Sequence, residues 1–358
     1  MSSINIPPEI MTDILYRLPA KSVGRFRCVS KDWLSQLSSP QFIMTHQNTL
    51  NQKHFVLVKS SLYSIPFSNH SLEVSRSPTE LRLGFTIDTI WYTIHGSCNG
   101  LVLLSFYNFN LRYTRTLSVL NPTTRDLIRL PQVVYNQTSS DLFGFGYDSL
   151  TDDYKVVTIR LYNDYDTNFS AGKKFVYVYS LRTKNWTRLS DATSSDYSIL
   201  IKDSLTSAVF VNGILHWFGK KLSDNLPVIV ALSLTNEKFS EVSIPIFPND
   251  VDIKYHCQLV DVGGKLGIFS NAKGTIWLMN EYGVKESWTK ILLHGFDRHS
   301  MSFQPMISYD KGKFLVADHL NRLLIYDIKE RRLSETGEIS FDELIGSYIE
   351  SLVSPKIK

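Results

Sequence analysis

The chain has 358 residues, 43% hydrophobic and 20% charged, which suits a soluble globular protein with one large domain and a small one. A net charge of +4, with both signs scattered, makes no case for nucleic acid or an anionic membrane as a partner. Three cysteines, Cys28, Cys98 and Cys257, form no CxxC pair and indicate neither a zinc site nor a disulfide framework.

The first residues, MSSINIPPE, carry neither a basic start nor an apolar core. No apolar run approaches the ~18–20 residues that span a bilayer, so the expected setting is the cytoplasm or nucleus. Residues 6–33 read IPPEIMTDILYRLPAKSVGRFRCVSKDW. Pro7 and Pro8 suit a helix entry. Ile10, Ile14 and Leu18 recur four apart, Leu15 widens the stripe, and Pro19 stops the helix. A second segment carries Val23, Phe26 and Val29, and a third carries Trp33, Leu34 and Leu37. Three short helices in roughly 40 residues lie near the limit for independent folding. Their apolar side chains exceed what they can hide among themselves. The surplus must be covered by the rest of the chain or by a partner, at roughly 1.5–3 kcal/mol for each Leu, Ile or Val buried.

From residue 50 onward the pattern changes to short strands in repeats. LSVLNPTTRDLIRLP, VYVYSLRTKNWTRLS, IVALSLTNEKFSEVS, IWLMNEYGVKESWTKI and LLIYDIKERRLSETG share one plan. Each has an apolar run, a small polar residue, a polar turn and an apolar anchor. The small polar residues Asn121, Ser180, Ser233, Asn280 and Asp327 are 59, 53, 47 and 47 residues apart. The anchors are Leu127, Trp186, Phe239, Trp288 and Leu333. A second hairpin precedes each, with turns such as SCNGLVLL, VNGILHW and VGGKLGIF, whose Asn-Gly and Gly-Gly pairs supply positive φ. Two hairpins per unit of about 50 residues is the plan of a β-propeller blade. Five units are visible, residues 54–67 offer strands of a sixth, and SYIESLV near the end is placed to close the ring against the first blade. Trp186, Trp217, Trp277 and Trp288 are expected between blades.

Catalytic constellations are sparse. Asp152 and Asp153 read as turn chemistry. The nine histidines form no metal spacing, His216 reads as packing, and His95 with Cys98 lacks a third group to orient a base and nucleophile. No catalytic, cofactor or metal site is assigned, which makes a propeller hydrolase the weakest reading. Four inserts stand out as binding loops: residues 162–174, 190–204, 219–227 and 294–305. No target-binding residue is named among them.

The amino-terminal segment resembles the F-box. The pattern is carried by Ile6, Pro7 and Glu9; by Ile14, Leu15, Arg17, Leu18, Pro19, Lys21 and Ser22; and by Arg25, Phe26, Arg27, Val29, Lys31 and Trp33. Two of its places depart: Ile6 stands where Leu is usual, and Gly24 stands in the second helix where Leu or Val is common, at about 1 kcal/mol of helix stability and the loss of an apolar contact. GSCNGLVLL, LNPTTRDLIRLP, FGFGYDSLTDDYKVV, VNGILHW and EYGVKESWTKI together resemble the plant F-box-associated interaction domain of type 1. The overall likeness is to plant F-box proteins that regulate defence signalling. The ring is kelch-like but not a true kelch array, since it has a single Gly-Gly doublet.

The resemblance implies a mainly β chain: a small three-helix F-box at 1–46, then a propeller-like domain of about six four-stranded blades at 47–358. It implies a non-catalytic substrate receptor of an SCF-type ubiquitin ligase. A Skp-type adaptor would bind the helices and bring the cullin and RING subunit, and the ring would hold an unidentified target protein for ubiquitination and degradation. Pro7, Ile10, Ile14, Leu15, Leu18, Pro19, Val23, Val29 and Trp33 are the expected adaptor-binding residues, some of which hold the helices together instead. The alternative is an adaptor-bound scaffold or inhibitor that does not promote degradation.

Overall fold

The computed structural model describes residues 6–58, 61–66, 79–81, 90–108, 114–132, 139–162, 174–189, 197–199, 207–224, 226–245, 257–270, 274–293, 304–310, 313–317, 323–335 and 343–356. Four helices come first: α1 (Pro8–Arg17), α2 (Ala20–Phe26), α3 (Lys31–Leu37) and α4 (Pro40–Leu50). Pro8 opens α1 and Pro19 separates α1 from α2, as the sequence predicts. The fourth helix is an addition to the three expected. Ser39 caps it by accepting the Phe42 N–H, Pro40 occupies its first turn, and Asn51 ends it with a φ of 42°.

Six antiparallel sheets follow. The first joins β1 (Lys53–Val58), β2 (Leu62–Pro66) and β3 (Thr79–Glu80) to β25 (Glu343–Ile349), the last strand of the chain. The second is β4 (Ile90–Cys98), β5 (Leu101–Asn108), β6 (Thr114–Asn121) and β7 (Asp126–Arg129). The third is β8 (Ser139–Asp148), β9 (Asp153–Tyr162), β10 (Lys174–Ser180) and β11 (Asn185–Leu189). In the fourth, β12 (Tyr197–Ile199) and β13 (Val209–Val211) both pair with β14 (Ile214–Lys221), followed by β15 (Pro227–Ser233) and β16 (Phe239–Val242). The fifth is β17 (Cys257–Val262), β18 (Lys265–Ser270), β19 (Thr275–Met279) and β20 (Trp288–Leu292). The sixth is β21 (Gln304–Asp310), β22 (Lys313–Ala317), β23 (Leu323–Asp327) and β24 (Arg332–Glu335). The inner strands adjoin in the order β25, β4, β8, β13, β17, β21 and back to β25, so the ring is closed. Closure by the last strand removes the open edges that invite aggregation.

The repeat has a physical reason. Asn121, Ser180, Ser233 and Asp327 each precede a turn whose last residue, Arg125, Lys184, Glu237 or Arg331, has φ between 51° and 63°. The carbonyls of Asn121, Ser180 and Ser233 accept the N–H of that last residue. The side chains of Asn121, Ser180 and Asp327 accept N–H bonds from inside the turn. At those three places a short oxygen-bearing side chain therefore helps to close the turn.

Cores lie between neighbouring blades. The indole of Trp186 donates to the carbonyl of Pro131, beyond the end of the preceding blade, and that of Trp288 does the same to Ser243. Trp217 is buried between the third and fourth blades, and Trp277 packs on the core between the fourth and fifth. The FGFGYD stretch is explained here too: a Cβ on Gly146 would fall 2.3 Å from the Phe210 ring, so the fourth blade approaches only if that site is bare.

Alternation of strand direction gives the ring two distinct ends. The turns between first and second strands, and between third and fourth, share one end, the turn end. The helices sit at this end, since β1 begins there, with Lys53 opposite Ile349, directly after Asn51 and Gln52.

Candidate functional site

The helices build a core of Leu15, Ala20, Val23, Leu37 and Phe42, and the sixth buried member is Leu352 from the far end of the chain. Met11, Tyr16, Leu18, Phe26, Trp33 and Ile43 surround it. Trp33 meets Phe26 edge-on at 5.7 Å, and Tyr16 stacks on Phe42 at 4.9 Å. Arg27 donates from Nε and Nη2 to the Leu37 carbonyl, tying the end of α2 to the end of α3. His46 bonds the carbonyl of Leu18 at 2.8 Å, and burial pushes its pKa down.

The structure divides the nine expected adaptor-binding residues. Pro7, Ile10, Ile14, Pro19 and Val29 are exposed; Ile10 presents 54% of its surface, Ile14 42% and Val29 68%. Leu18 and Trp33 are half-buried against the helical core. Leu15 and Val23, at 2% and 0%, are corrections: they face inward and hold the helices together, leaving almost nothing for a foreign surface. Ile6, Leu34 and Met44 are exposed apolar residues that were not on the expected list. Leu34 stands in the third apolar segment read from the sequence, which gave it no facing, and Met44 lies on α4, a helix that reading did not include. Half of the twelve large exposed hydrophobics among the described residues fall in the first 44 positions, so the open apolar surface is concentrated on the helices. Gly24 faces the tail of the chain. A side chain there would meet Leu352 of the same chain at 3.8 Å, so the glycine bears on the junction between helices and tail.

The titratable groups of the ring singled out in the sequence are held by its own bonding. His95 shares its two ring nitrogens between Ser207 and Ser105, and burial, aided by Arg115, pushes it down to about 3. Burial pushes the Cys98 thiol up to about 12, and the His95 ring nitrogens face the two serine hydroxyls. His216 bonds the Val209 carbonyl and the Tyr282 hydroxyl, and burial takes it down to about 4. Asp152 and Asp153 diverge: the first accepts from Tyr147 and Arg182, the second from Ser180 and the Arg182 N–H. Among the described residues, no three His, Cys, Asp or Glu side chains gather to hold a metal ion.

The four candidate inserts all attach at the end of the ring opposite the helices, because they follow second or fourth strands. Residues 163–173, 190–196, 200–204 and 294–303 lie outside the described residues. The insert at 219–227 exposes Leu222 and Leu226 at a hairpin closed by Lys221 N–H to the Leu226 carbonyl. Beside it, Lys221 pairs with Glu241 at 3.0 Å.

Comparison with known proteins places this geometry. The family profile described as the F-box associated beta propeller domain matches residues 42–355, and the F-box domain matches residues 4–45. F-box protein CPR1 of Arabidopsis thaliana is 29% identical over 362 residues, spanning 92% of this chain and 83% of that protein. An F-box/kelch-repeat protein of Arabidopsis thaliana is 29% identical over 308 residues, spanning 80% and 79%. Among solved structures, dipeptidyl peptidase 4 of Porphyromonas gingivalis aligns over 80% of this chain and 53% of that one, with 10% identity and a TM-score of 0.41, a level that carries no argument about chemistry. With its six-bladed ring and its amino-terminal helices both matched, the chain belongs to the F-box associated β-propeller family and carries an F-box.

Proposed function

We propose that the chain is the target-recognition subunit of an SCF-type ubiquitin ligase, working in the cytoplasm or nucleus. The F-box within residues 1–46 engages a Skp-type adaptor, and through it a cullin and RING subunit. The ring within 47–358 holds a target protein, whose ubiquitination leads to proteasomal degradation. The receptor needs no nucleophile, since the tether makes the encounter of target and ubiquitin donor intramolecular. The observation that carries this reading is the open apolar surface of α1 to α3, with Ile10, Ile14, Val29 and Leu34 in water. Its chemistry suits a helix-in-groove contact. The inserts at the opposite end are the proposed target surface, and the resemblance of the sequence to plant F-box proteins that regulate defence signalling is what favours a target in that pathway.

Affinity purification of the full chain with the proteasome blocked, followed by mass spectrometry, is the test. A Skp-type adaptor and a cullin should co-purify, and the abundance of a captured target should rise when the protein is depleted. Absence of the adaptor ends the proposal. An adaptor without any change in target abundance marks a scaffold instead.

A further inference from the structure

Residues 350–353 alternate between the helices and the ring. Glu350 and Leu352 serve the helices. Burial pushes the Glu350 carboxyl up, and the backbone N–H groups of Ala20 and Lys21, in the first turn of α2, act against that shift. Pro19 holds the capping position of α2 and offers no side-chain bond there. Leu352, 2% exposed, fills the helical core, and its carbonyl accepts from Arg27 Nη1 at 3.4 Å. Ser351 and Val353 serve the ring. Asn121 Nδ2 donates to the carbonyls of both, at 3.0 and 2.6 Å, and Ser351 N–H donates to Thr123 Oγ1 at 3.3 Å. A Cβ on Gly100, in the turn between β4 and β5, would fall 2.2 Å from the Cβ of Ser351, so the tail is seated against bare backbone.

Leu352 lies three residues beyond Ile349, the last residue of β25 and the partner of Lys53. Three residues reach about 10 Å at most. Leu352 therefore arrives at the helices only when β25 has added to β1, the step that closes the ring. We propose that this tail is a latch: the adaptor-binding shape of the F-box forms only on a closed ring, so a chain with an open or damaged ring offers no ordered adaptor face. The latch rests on the adaptor reading above for its consequence, and on the tail contacts for its mechanism.

Two full-length variants test it, each read by hydrogen exchange and by affinity for a recombinant Arabidopsis Skp-type adaptor. Leu352→Asp should raise exchange in α2 and α3 at least tenfold and weaken adaptor binding at least tenfold, with β5, β9 and β15 as protected as in the native chain. Gly346→Val strains β25 from a distance, since its Cβ would fall 2.9 Å from Ile94 on β4. It should release α2 and α3 together with β25 and β1. Native protection and native affinity in both variants overturn the latch, and so does a Leu352→Asp chain whose ring loses protection along with its helices. A native chain that binds no adaptor overturns the functional reading alone, because the exchange measurement still reports whether the helices depend on the tail.

Discussion

The division of the F-box residues into inward and outward sets makes a quantitative prediction. Consider Ile10→Ser, Ile14→Ser and Val29→Ser together. The native side chains present 54%, 42% and 68% of their surface to water. Complete burial of such a side chain gains roughly 1.5–3 kcal/mol, so covering these exposed remainders is worth about 3 kcal/mol in all. The triple variant should bind a Skp-type adaptor about 100-fold more weakly. Its thermal unfolding should stay close to native, because exposed substitutions away from special features cost ~0.5 kcal/mol or less each. Leu15→Ala is the mirror case. Leu15 is 2% exposed, and its removal leaves a cavity in the helical core costing ~2–5 kcal/mol. That variant should destabilise the helices first and lose adaptor binding only through their disorder. Isothermal titration with a recombinant Arabidopsis adaptor, alongside hydrogen exchange of α1 to α3, separates the two. The reasoning fails if the triple variant binds within threefold of native, or if Leu15→Ala leaves helix protection unchanged.

Two further predictions follow from single sites. Gly24→Ala should stabilise the helices by about 1 kcal/mol, from helix propensity, with its Cβ in ordinary contact with Leu352 at 3.8 Å; denaturant unfolding followed at the helices, unmoved by the change, would contradict it. Asp148 is buried; desolvation pushes its pKa up, but bonds from Thr151, Lys155, Thr235 and the Leu150 N–H outweigh that and hold it down at about 2. Because the folded pKa lies below the unfolded value of ~3.9, its stabilisation, on the order of 2 kcal/mol, is present above that value and lost as pH falls toward 2. Asp148→Asn should therefore destabilise the ring at neutral pH and flatten the fall in stability between pH 4 and 2; an acid limb as steep as native in the variant would refute the assignment.

Much of the ring was legible because its signals are local. Asn99-Gly100, Asn212-Gly213 and Gly263-Gly264 all adopt the positive φ that their turns predict. The spacing of Asn121, Ser180, Ser233 and Asp327 marked real turns because each turn closes on its own few residues. The closure against the first blade was foreseen, but its strand is Glu343–Ile349, which shares only Ser347–Ile349 with SYIESLV; the last four residues of that stretch leave the sheet. What was hidden depends on contacts distant in sequence. Nothing in the spacing of Ile14 and Leu15 tells which of two adjacent apolar residues faces inward, because a stripe has no sign until its partner helix is placed. Nothing in LVSP announces that Leu352 belongs to a core built by residues 15 to 42. The helix α4 was missed for a different reason: Ser39-Pro40 and Asn51 are ordinary start and stop signals, but they straddle the junction assumed between the two regions.

The way the helices are joined to the ring bears on what a receptor requires. A single covalent link, Asn51 and Gln52 between α4 and β1, would let the helices swing, and a swinging tether lowers the effective concentration of a held target at a fixed donor. The tail supplies a second tie about 300 residues later in the chain, where Glu350 N–H meets the Gln52 carbonyl, Leu352 enters the helical core and Asn121 clamps the backbone on either side. Two ties at one junction define an orientation where one defines only a radius. The proposed target surface lies at the opposite end of the ring, so under the proposed function the blades between would set the distance from adaptor to target. Lengthening the link by inserting a Gly-Ser pair after Asn51 should then leave adaptor affinity close to native while the tail holds, and should slow target ubiquitination only in a chain that also carries Leu352→Asp. Equal ubiquitination rates in the single and double variants, measured with the reconstituted ligase, would show that orientation is not held by the tail.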